Sequence, residues 1–176
     1  TTATGWTGTG EEPIEMWAFS LEPGREGELL FRTSWDLPHA DLTINYRAAS
    51  IDDGVFVISC KETRQWWGFN LTTGHQLWGP TESGHDLGIY GMAGYIAYGK
   101  LYATNNMGGV LSCYDLVSGD LLWEYEAYDP YNEILWSKNW PIQGLFITDG
   151  KIYLGHDEHS PIDPKPRGAP FICIDA

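Results

Sequence analysis

Two ten-residue stretches of this chain share one pattern, FNLTTGHQLW at residues 69–78 and YDLVSGDLLW at residues 114–123. The turn glycine and the final tryptophan both recur after 45 residues, in the pairs Gly74 and Gly119, and Trp78 and Trp123. Apolar residues on both sides of each glycine indicate two strands joined by a tight turn. Recurrence at a constant spacing favours a fold built from copies of one unit over an isolated hairpin with a buried tryptophan.

The residues of the turn explain why the chain reverses there. Glycine adopts the positive φ angles that tight turns need at no steric cost. Asn70 and Asp115 each lie four residues before the turn glycine, where a short polar side chain can accept hydrogen bonds from N–H groups of the turn. The sequence therefore predicts that Asp115 and Gly119 form the same turn as their counterparts one repeat earlier.

The other half of the repeat comes from the segments GVFV, GKLY and GKIY, which begin at Gly54, Gly99 and Gly150. One complete copy is predicted as four strands, at residues 93–97, 101–104, 110–116 and 120–125. A looser copy comes earlier, and its Phe31 stands in the position of the two tryptophans. A four-stranded repeat of about 45 residues has the size of one β-propeller blade.

We therefore predict an all-β fold, a β-propeller of four-stranded antiparallel blades with about four repeats in one segment, residues 1–176. The blades are placed at approximately residues 1–35, 44–80, 92–126 and 143–176. The last copy is truncated before its expected glycine and tryptophan, whereas a propeller closes a ring of about four to eight blades. We expect an incomplete ring, completed by further blades of a longer chain or by a neighbouring copy.

The pattern D/N-x-x-T/S-G-x-x-x-W resembles the repeat of the PQQ-like (quinoprotein-type) propeller family, and the resemblance extends from about Trp17 onward. In that family the final tryptophan docks between neighbouring blades and holds the ring together. Trp78 and Trp123 match that position, and Phe31 matches it less closely. The resemblance implies a propeller architecture and carries little information about activity, because one fold hosts many functions.

Charge and hydropathy exclude several classes of partner. The chain has a formal net charge of -14, and its ten basic residues are scattered singly. Binding to nucleic acid or to an anionic membrane surface requires clusters of Lys and Arg, so neither is expected. The sequence also has no apolar run approaching the roughly 18–20 residues that a transmembrane helix needs. The acidic surface is interpreted as a solvated one that keeps the protein soluble.

The cysteines do not form a disulfide framework. Cys60, Cys113 and Cys173 are widely spaced, and the sequence has no C-x-x-C motif. The position two residues before the turn's polar residue holds only small residues in the four copies: Ala18, Gly68, Cys113 and Cys173. Because a free cysteine behaves as a small apolar residue, Cys113 and Cys173 are predicted to pack in different blades rather than to form a disulfide.

The loops fall into two classes, and each class is expected at one end of the blades. The turns containing the repeated glycines are short, whereas the second class is long, at residues 61–67, 79–91, 127–143 and 155–170. Function usually resides on long loops carried by a rigid scaffold. The candidate binding residues on these loops are Trp66, Trp67, His85, Trp136 and Trp140, accompanied by Tyr128 and Tyr131. Such a set suits a sugar, a planar cofactor or a peptide, or the rings pack on one another.

The run His156-Asp157-Glu158-His159 is the candidate metal site, with His156, Glu158 and His159 as its ligands. It is not an H-E-x-x-H motif, and four prolines in residues 161–170 predict an extended loop rather than a helix. We therefore do not expect a bound metal. The sequence also has no nucleophile elbow, P-loop, dinucleotide-binding motif or EF-hand.

Three functions are compatible with these features. The first is a non-catalytic extracytoplasmic propeller that binds a protein or carbohydrate partner as a scaffold or assembly module; the resembled family includes outer-membrane assembly lipoproteins. The second is a PQQ-dependent alcohol or sugar dehydrogenase, for which the family implies PQQ, Ca²⁺ and a catalytic Asp, and no residue here matches that Asp. The third is a structural subunit of a cell-surface assembly. We expect the first function, without a cofactor. The extracytoplasmic location is implied by the resemblance, because propellers of that family are mostly periplasmic, secreted or surface-exposed.

Overall fold

The computed structural model describes residues 2–7, 13–39, 41–131, 138–157 and 168–176, with backbone only for residues 2–7. The secondary structure of these residues is almost entirely β. In chain order the strands are β1 Thr2–Thr7, β2 Ile14–Ser20, β3 Leu29–Trp35, β4 Ile44–Ser50, β5 Val55–Cys60, β6 Gln65–Asn70, β7 Gln76–Trp78, β8 Met92–Ala97, β9 Lys100–Asn105, β10 Val110–Asp115, β11 Leu121–Glu126, β12 Ile142–Thr148, β13 Lys151–His156 and β14 Phe171–Asp175. A short 3₁₀ helix, Asp86–Tyr90, precedes β8.

These strands form four antiparallel sheets, each made of strands that follow one another in the chain. Sheet 1 is β1-β2-β3, sheet 2 is β4-β5-β6-β7, sheet 3 is β8-β9-β10-β11, and sheet 4 is β12-β13-β14. Antiparallel neighbours need only short hairpin connections, which is what the repeated glycine turns supply. The predicted all-β class with four-stranded antiparallel sheets is confirmed.

Sheet 3 shows why the repeat forms hairpins. Its four strands lie within two residues of the predicted positions at both ends. Between β8 and β9, Tyr98 and Gly99 have φ angles of 54° and 68°, and Asp149 and Gly150 have 52° and 68° between β12 and β13. Two consecutive positive φ angles are typical of the type I′ turn, whose twist matches that of the strands it joins.

Part of one predicted loop, residues 61–67, is a strand of sheet 2. Residues 61–67 were expected to form a long loop carrying Trp66 and Trp67, but β6 begins at Gln65, and both tryptophans lie in that strand. Residues 61–64 form a tight turn in which Arg64 has a φ of 57°. The repeat spacing contains this information, because shifting Val110–Asp115 back by 45 residues gives the bounds of β6, Gln65–Asn70.

The chain divides into two compact units, each with its own core. Unit 1 is Thr1–Glu82 with Leu116–Gly119, and unit 2 is Ser83–Asp115 with Asp120–Ala176. The core of unit 1 joins sheets 1 and 2 and contains Ile14, Met16, Ala18, Phe31, Phe56, Ile58, Cys60, Trp67, Phe69 and Leu71. The core of unit 2 joins sheets 3 and 4 and contains Tyr102, Leu111, Cys113, Ala127, Trp140, Ile142, Ile152 and Leu154.

A small residue faces a large ring at the same place in three sheets. The register pairs each small residue with the ring across the strand: Ala18 with Phe31, Gly68 with Trp78, and Cys113 with Trp123. In all three sheets the register shifts immediately after the small residue, as at a β-bulge. A Cβ atom on Gly68 would overlap the indole of Trp78. The need for small residues at this position therefore comes from the ring opposite.

Each of two rings also packs against a turn glycine in unit 1. Phe31 packs on Gly74, and Trp78 packs on Gly119, where an added Cβ would lie 2.5 Å from ring atoms in both cases. The indole N–H of Trp78 donates a hydrogen bond to the carbonyl oxygen of Leu116 at 2.8 Å. The buried indole is thereby fixed both by shape and by a satisfied polar group.

Cys113 packs as predicted, whereas Cys173 does not. The structure forms no disulfide among the three cysteines, and Cys60 and Cys113 are buried. The prediction that Cys173 packs inside a blade is wrong, since Cys173 is exposed. The physical reason is that Trp123 covers Cys113 from the next strand, whereas among the described residues no strand pairs with the outer edge of β14.

We predict that Gly68→Ala lowers the free energy of unfolding by about 1–3 kcal/mol, because the new methyl group overlaps the Trp78 ring. The matched control is Gly144→Ala, where an added Cβ meets nothing within 4 Å and the expected change is below about 0.5 kcal/mol. Urea titration followed by tryptophan fluorescence measures both changes. Equal effects of the two substitutions would contradict the packing described here.

Candidate functional site

The loops at one end of sheet 3 are joined by the turn between β9 and β10, residues 106–109. On one side of this turn, the buried Asn105 side chain donates a hydrogen bond from Nδ2 to the carbonyl oxygen of His85 at 2.8 Å. The backbone N–H of Asn106 donates to the carbonyl oxygen of Gly91 at 3.1 Å. These bonds fix the segment that contains the 3₁₀ helix, because a buried amide paired in this way is costly to release.

On its other side the same turn holds the loop between β11 and β12. The side chain of Asn139 is buried and donates from Nδ2 to the carbonyl oxygen of Gly108 at 2.9 Å. The N–H of Ala127 donates to the carbonyl oxygen of Gly109 at 2.9 Å, and the N–H of Trp140 donates to that of Ala127 at 2.6 Å. A Cβ on Gly109, whose φ is 65°, would overlap the carbonyl oxygen of Trp140. The two loops are therefore held by one turn.

Three exposed tyrosines project from these two loops, and we call Tyr90, Tyr128 and Tyr131 the tyrosine platform. Their exposed fractions are 70%, 62% and 71%. Tyr128 forms a β-bridge with Asn139, and the N–H of Tyr131 donates to Oδ1 of the buried Asp129 at 2.9 Å. The backbone beneath Tyr128 and Tyr131 is thus fixed while the side chains remain open to solvent.

The structure describes four of the five predicted binding residues, and three of these four are buried. Trp66, Trp67 and Trp140 are buried, so they are not available as loop-surface side chains. Trp67 lies in the core of unit 1, with its ring 5.5 Å from that of Trp35, and Trp140 lies in the core of unit 2. Trp136 lies outside the described residues. Burial of these three tryptophans agrees with packed rings rather than open ones, although the ring partner of Trp67 is Trp35, which is outside the predicted set.

His85 caps the 3₁₀ helix in the loop before β8. Its Nδ1 accepts a hydrogen bond from the N–H of Leu87 at 3.2 Å, which caps the 3₁₀ helix. An added Cβ on Gly108 would lie 2.7 Å from the same Nδ1, so the imidazole is in close contact with the turn. Sequence reasoning named Tyr128 and Tyr131 but missed Tyr90, which lies in the predicted loop 79–91, immediately before the first strand of a repeat.

The candidate metal site is described in part. His156 is half-buried, and its Nδ1 lies 2.7 Å from the carbonyl oxygen of Pro170. Because a carbonyl only accepts, this nitrogen carries the proton, and Nε2 faces the hydroxyl of Tyr125 at 3.5 Å. Glu158 and His159 lie outside the described residues. In the part of the chain that the structure describes, no three His, Cys, Asp or Glu side chains come together to hold a metal ion.

The PQQ and Ca²⁺ of the dehydrogenase alternative are not assigned to any described residues. The described ranges contain no group of three or more His, Cys, Asp or Glu side chains that could hold Ca²⁺. The three cysteines lie in three different sheets, in β5, β10 and β14, and are all free thiols. No step of a dehydrogenase reaction is therefore assigned to these residues.

Sheet 1 carries a separate cleft of about 400 Å³ on one of its faces. Its described lining is Glu15, Trp17, Phe19, Leu29 and Arg32. The guanidinium of Arg32 lies 2.6 Å from the carboxylate of Glu15, so the charged side chains are paired with each other. The remaining lining is aromatic and aliphatic.

Comparison with known proteins supports the fold. No protein-family model matches this chain, and no curated protein matches it. The crystal structure of BamB from Moraxella catarrhalis, a β-propeller, is similar over 89% of this chain with a TM-score of 0.56 and 13% sequence identity. This chain spans 44% of the BamB chain. The predicted propeller class is confirmed, as a partial propeller.

Within the described ranges, no helix has the length and apolar character needed to cross a membrane.

We predict that Asn139→Ala loosens the loop between β11 and β12, because it leaves the buried carbonyl of Gly108 without its amide donor. The expected loss of unfolding free energy is about 1–3 kcal/mol. Hydrogen exchange should accelerate at Tyr128 and Trp140 before the rest of sheet 3. The exposed Gln143→Ala is the control and should leave exchange unchanged. Unaltered exchange in Asn139→Ala would contradict the role given to this amide.

Burial lowers the pKa of His156 from its ordinary value of 6.5, and the hydrogen bond to Pro170 opposes this only in part. A lowered folded-state pKa contributes stability above about pH 6.5 that is lost as the pH falls through the folded value. We predict that His156→Gln has a weaker loss of stability than wild type between about pH 8 and about pH 5. Urea midpoints at both pH values measure it, with the exposed His75→Gln as control; identical pH dependence in all three proteins would refute the assignment.

Proposed function

We propose that this chain is part of an extracytoplasmic PQQ-like propeller that acts as a non-catalytic binding, scaffold or assembly module. The similarity to the BamB structure supports the architecture, and the repeat pattern ending in Trp78 and Trp123 supports the PQQ-like type. The extracytoplasmic location is supported by the resemblance, because propellers of the PQQ-like family mostly lie outside the cytoplasm, and it is compatible with the acidic net charge of the chain. The dehydrogenase alternative has no ligand set among the described residues to favour it.

The observation that carries the proposal is that the tryptophans of these segments are buried whereas the tyrosines of the loops are exposed. Trp66, Trp67 and Trp140 are used to fill the cores, whereas the tyrosine platform stays exposed on a backbone that buried Asn105 and Asn139 hold in place. Tyrosine offers a large amphipathic contact area and loses little conformational entropy on binding. Rigid loops with exposed tyrosines are therefore suited to binding a partner rather than to chemistry.

The charge of the chain selects among partners. A net charge of -14 disfavours nucleic acid and polyanionic glycans through like-charge repulsion. Exposed Asp86 and Glu126 lie close in sequence to Tyr90 and Tyr128, which adds negative charge around the platform. The partner class is a protein with a neutral or basic surface or a neutral carbohydrate, since tyrosine rings pack on peptide and sugar faces alike.

We predict that the wild-type protein binds to at least one member of an array of neutral oligosaccharides and neutral or basic peptides through the tyrosine platform. The triple variant Tyr90→Ala, Tyr128→Ala, Tyr131→Ala should lose at least about tenfold in affinity, because removing buried aromatic contacts costs more than about 1.4 kcal/mol. Tyr98→Ala is the matched control, an exposed tyrosine at the opposite end of sheet 3. Absence of binding, or equal binding by the triple variant, would overturn the proposal.

The dehydrogenase alternative is tested in the same preparation. PQQ and Ca²⁺ are added to the protein, and the cofactor absorbance and dye-linked oxidation of alcohols and sugars are followed. We expect neither a saturable absorbance change nor turnover. Tight cofactor binding with turnover would replace the scaffold function with an oxidoreductase.

A further inference from the structure

One face of sheet 2 brings together a group of hydrogen-bond donors. Asn45, Ser59 and Trp66 are direct neighbours across β4, β5 and β6, so their side chains share that face. Arg47 of β4 joins them, because its Nε donates to the hydroxyl oxygen of Ser59 at 2.7 Å. We call Asn45, Arg47, Ser59 and Trp66 the donor row. All four residues belong to unit 1.

A β-bulge places Arg47 in this row. The register between β4 and β5 skips Arg47, which is therefore the extra residue of the bulge. The register between β12 and β13 skips Gln143 in the same way, but that side chain is exposed, and Gly155 stands where Ser59 stands in sheet 2. The bulge thus recurs in the repeat, whereas the pairing of arginine with serine is specific to sheet 2.

The guanidinium of Arg47 has no carboxylate partner, although the chain has 24 acidic residues. In the part of the chain that the structure describes, its hydrogen bond goes to Ser59 alone, whereas Arg32 of sheet 1 is paired with Glu15. Burial lowers the pKa of the half-buried Arg47 from its ordinary value, and no carboxylate opposes this. A partly desolvated charge without a counter-ion is unfavourable, so this position is suited to a bound anion.

The other members of the donor row also lack acceptors. Across the described ranges, neither the side-chain amide of Asn45 nor the indole N–H of Trp66 has a hydrogen-bond partner. Trp66 is only 3% exposed, and buried indole N–H groups usually have an acceptor. The hydroxyl of Ser59 accepts from Arg47 and keeps its own hydrogen for donation. A ligand that suits this row therefore supplies acceptor atoms and negative charge.

We infer that the donor row binds a single carboxylate group, that of a small organic acid or of a peptide C-terminus. Because Nε of Arg47 is used by Ser59, the two Nη atoms remain, and their fork matches the two oxygens of a carboxylate. Asn45 is half-buried, as Arg47 is, so both side chains can be reached from solvent. Ser59 is fully buried and acts as a positioning residue for the guanidinium.

The charge of the chain limits the ligand to one negative charge at this place. One guanidinium offsets one carboxylate, and the remaining charge of this acidic chain, -14 in total, repels an anion that carries more. Sulfate and phosphate dianions are therefore expected to bind less well than a monocarboxylate. This site goes beyond the proposed function, since none of its residues belongs to the tyrosine platform.

The test is an NMR titration that follows the Nε–H resonance of Arg47 and the indole N–H resonance of Trp66. Acetate and N-acetyl-triglycine should each shift both resonances saturably at constant ionic strength, with half-saturation below about 10 mM. The C-terminal amide of the same peptide should cause no shift, because it lacks the carboxylate. Tighter binding of acetate than of the peptide supports a small acid as the ligand, and the reverse order supports a peptide C-terminus.

Two variants show whether Arg47 is responsible. Arg47→Gln should weaken acetate binding at least about tenfold, because a hydrogen-bonded charge is lost. Its urea midpoint should equal that of wild type, since the substitution breaks no ion pair, so weaker binding cannot be attributed to unfolding. Arg25→Gln is the matched control, an exposed arginine paired with Glu28, and should bind acetate as wild type does.

The inference is overturned by shifts that do not saturate, by equal shifts from the peptide amide or from sulfate, or by wild-type affinity in Arg47→Gln. The triple variant of the tyrosine platform should keep wild-type affinity for acetate. The failure of this inference and the failure of the proposed function are therefore distinguishable.

Discussion

The rest of this structure depends on the packing of a large aromatic ring against small residues. Trp78 lies between Gly68, across its own sheet, and Gly119, in the turn between β10 and β11, and neither glycine could carry a Cβ atom without overlapping the indole. Because protein interiors are close-packed, such a contact accepts few alternatives. The register between β6 and β7 shifts immediately after Gly68, the residue that pairs with Trp78. The ring, the small residue opposite it and the bulge therefore occur at one place in the sheet. The same combination at Phe31 and Ala18 joins sheets 1 and 2 in one core.

A scaffold held in this way leaves the loops at one end free to differ from repeat to repeat. In unit 2 that freedom is used for a hydrogen-bonded assembly in which one short turn, residues 106–109, fixes two longer loops through Asn105 and Asn139. Buried amide hydrogen bonds specify one loop conformation more strictly than apolar packing does, because any conformation that leaves a buried amide unpaired costs free energy. Loop backbones that would otherwise move are thereby held, and Tyr128 and Tyr131 are presented at defined places.

The repeat spacing predicts much of this fold, because it records a structural unit that the chain must form each time. The strands of sheet 3 and the turn at Gly99 follow from it directly. The location of Trp66 and Trp67 within a strand was not predicted, since two adjacent tryptophans after a polar turn suit a loop surface as well as a strand buried on both faces. Likewise, the structural role of His85 depends on its contact with Gly108, a neighbour that is distant in sequence and adjacent only after folding.

The same logic separates two kinds of exposed aromatic residue. A ring such as Phe19 of sheet 1, which is exposed, occupies a position whose counterpart in sheet 2, Phe69, is buried in the core of unit 1. A ring on a loop, such as Tyr128, has no counterpart whose burial the repeat imposes. The repeat pattern therefore accounts for the first kind, and the proposed binding of a partner would account for the second.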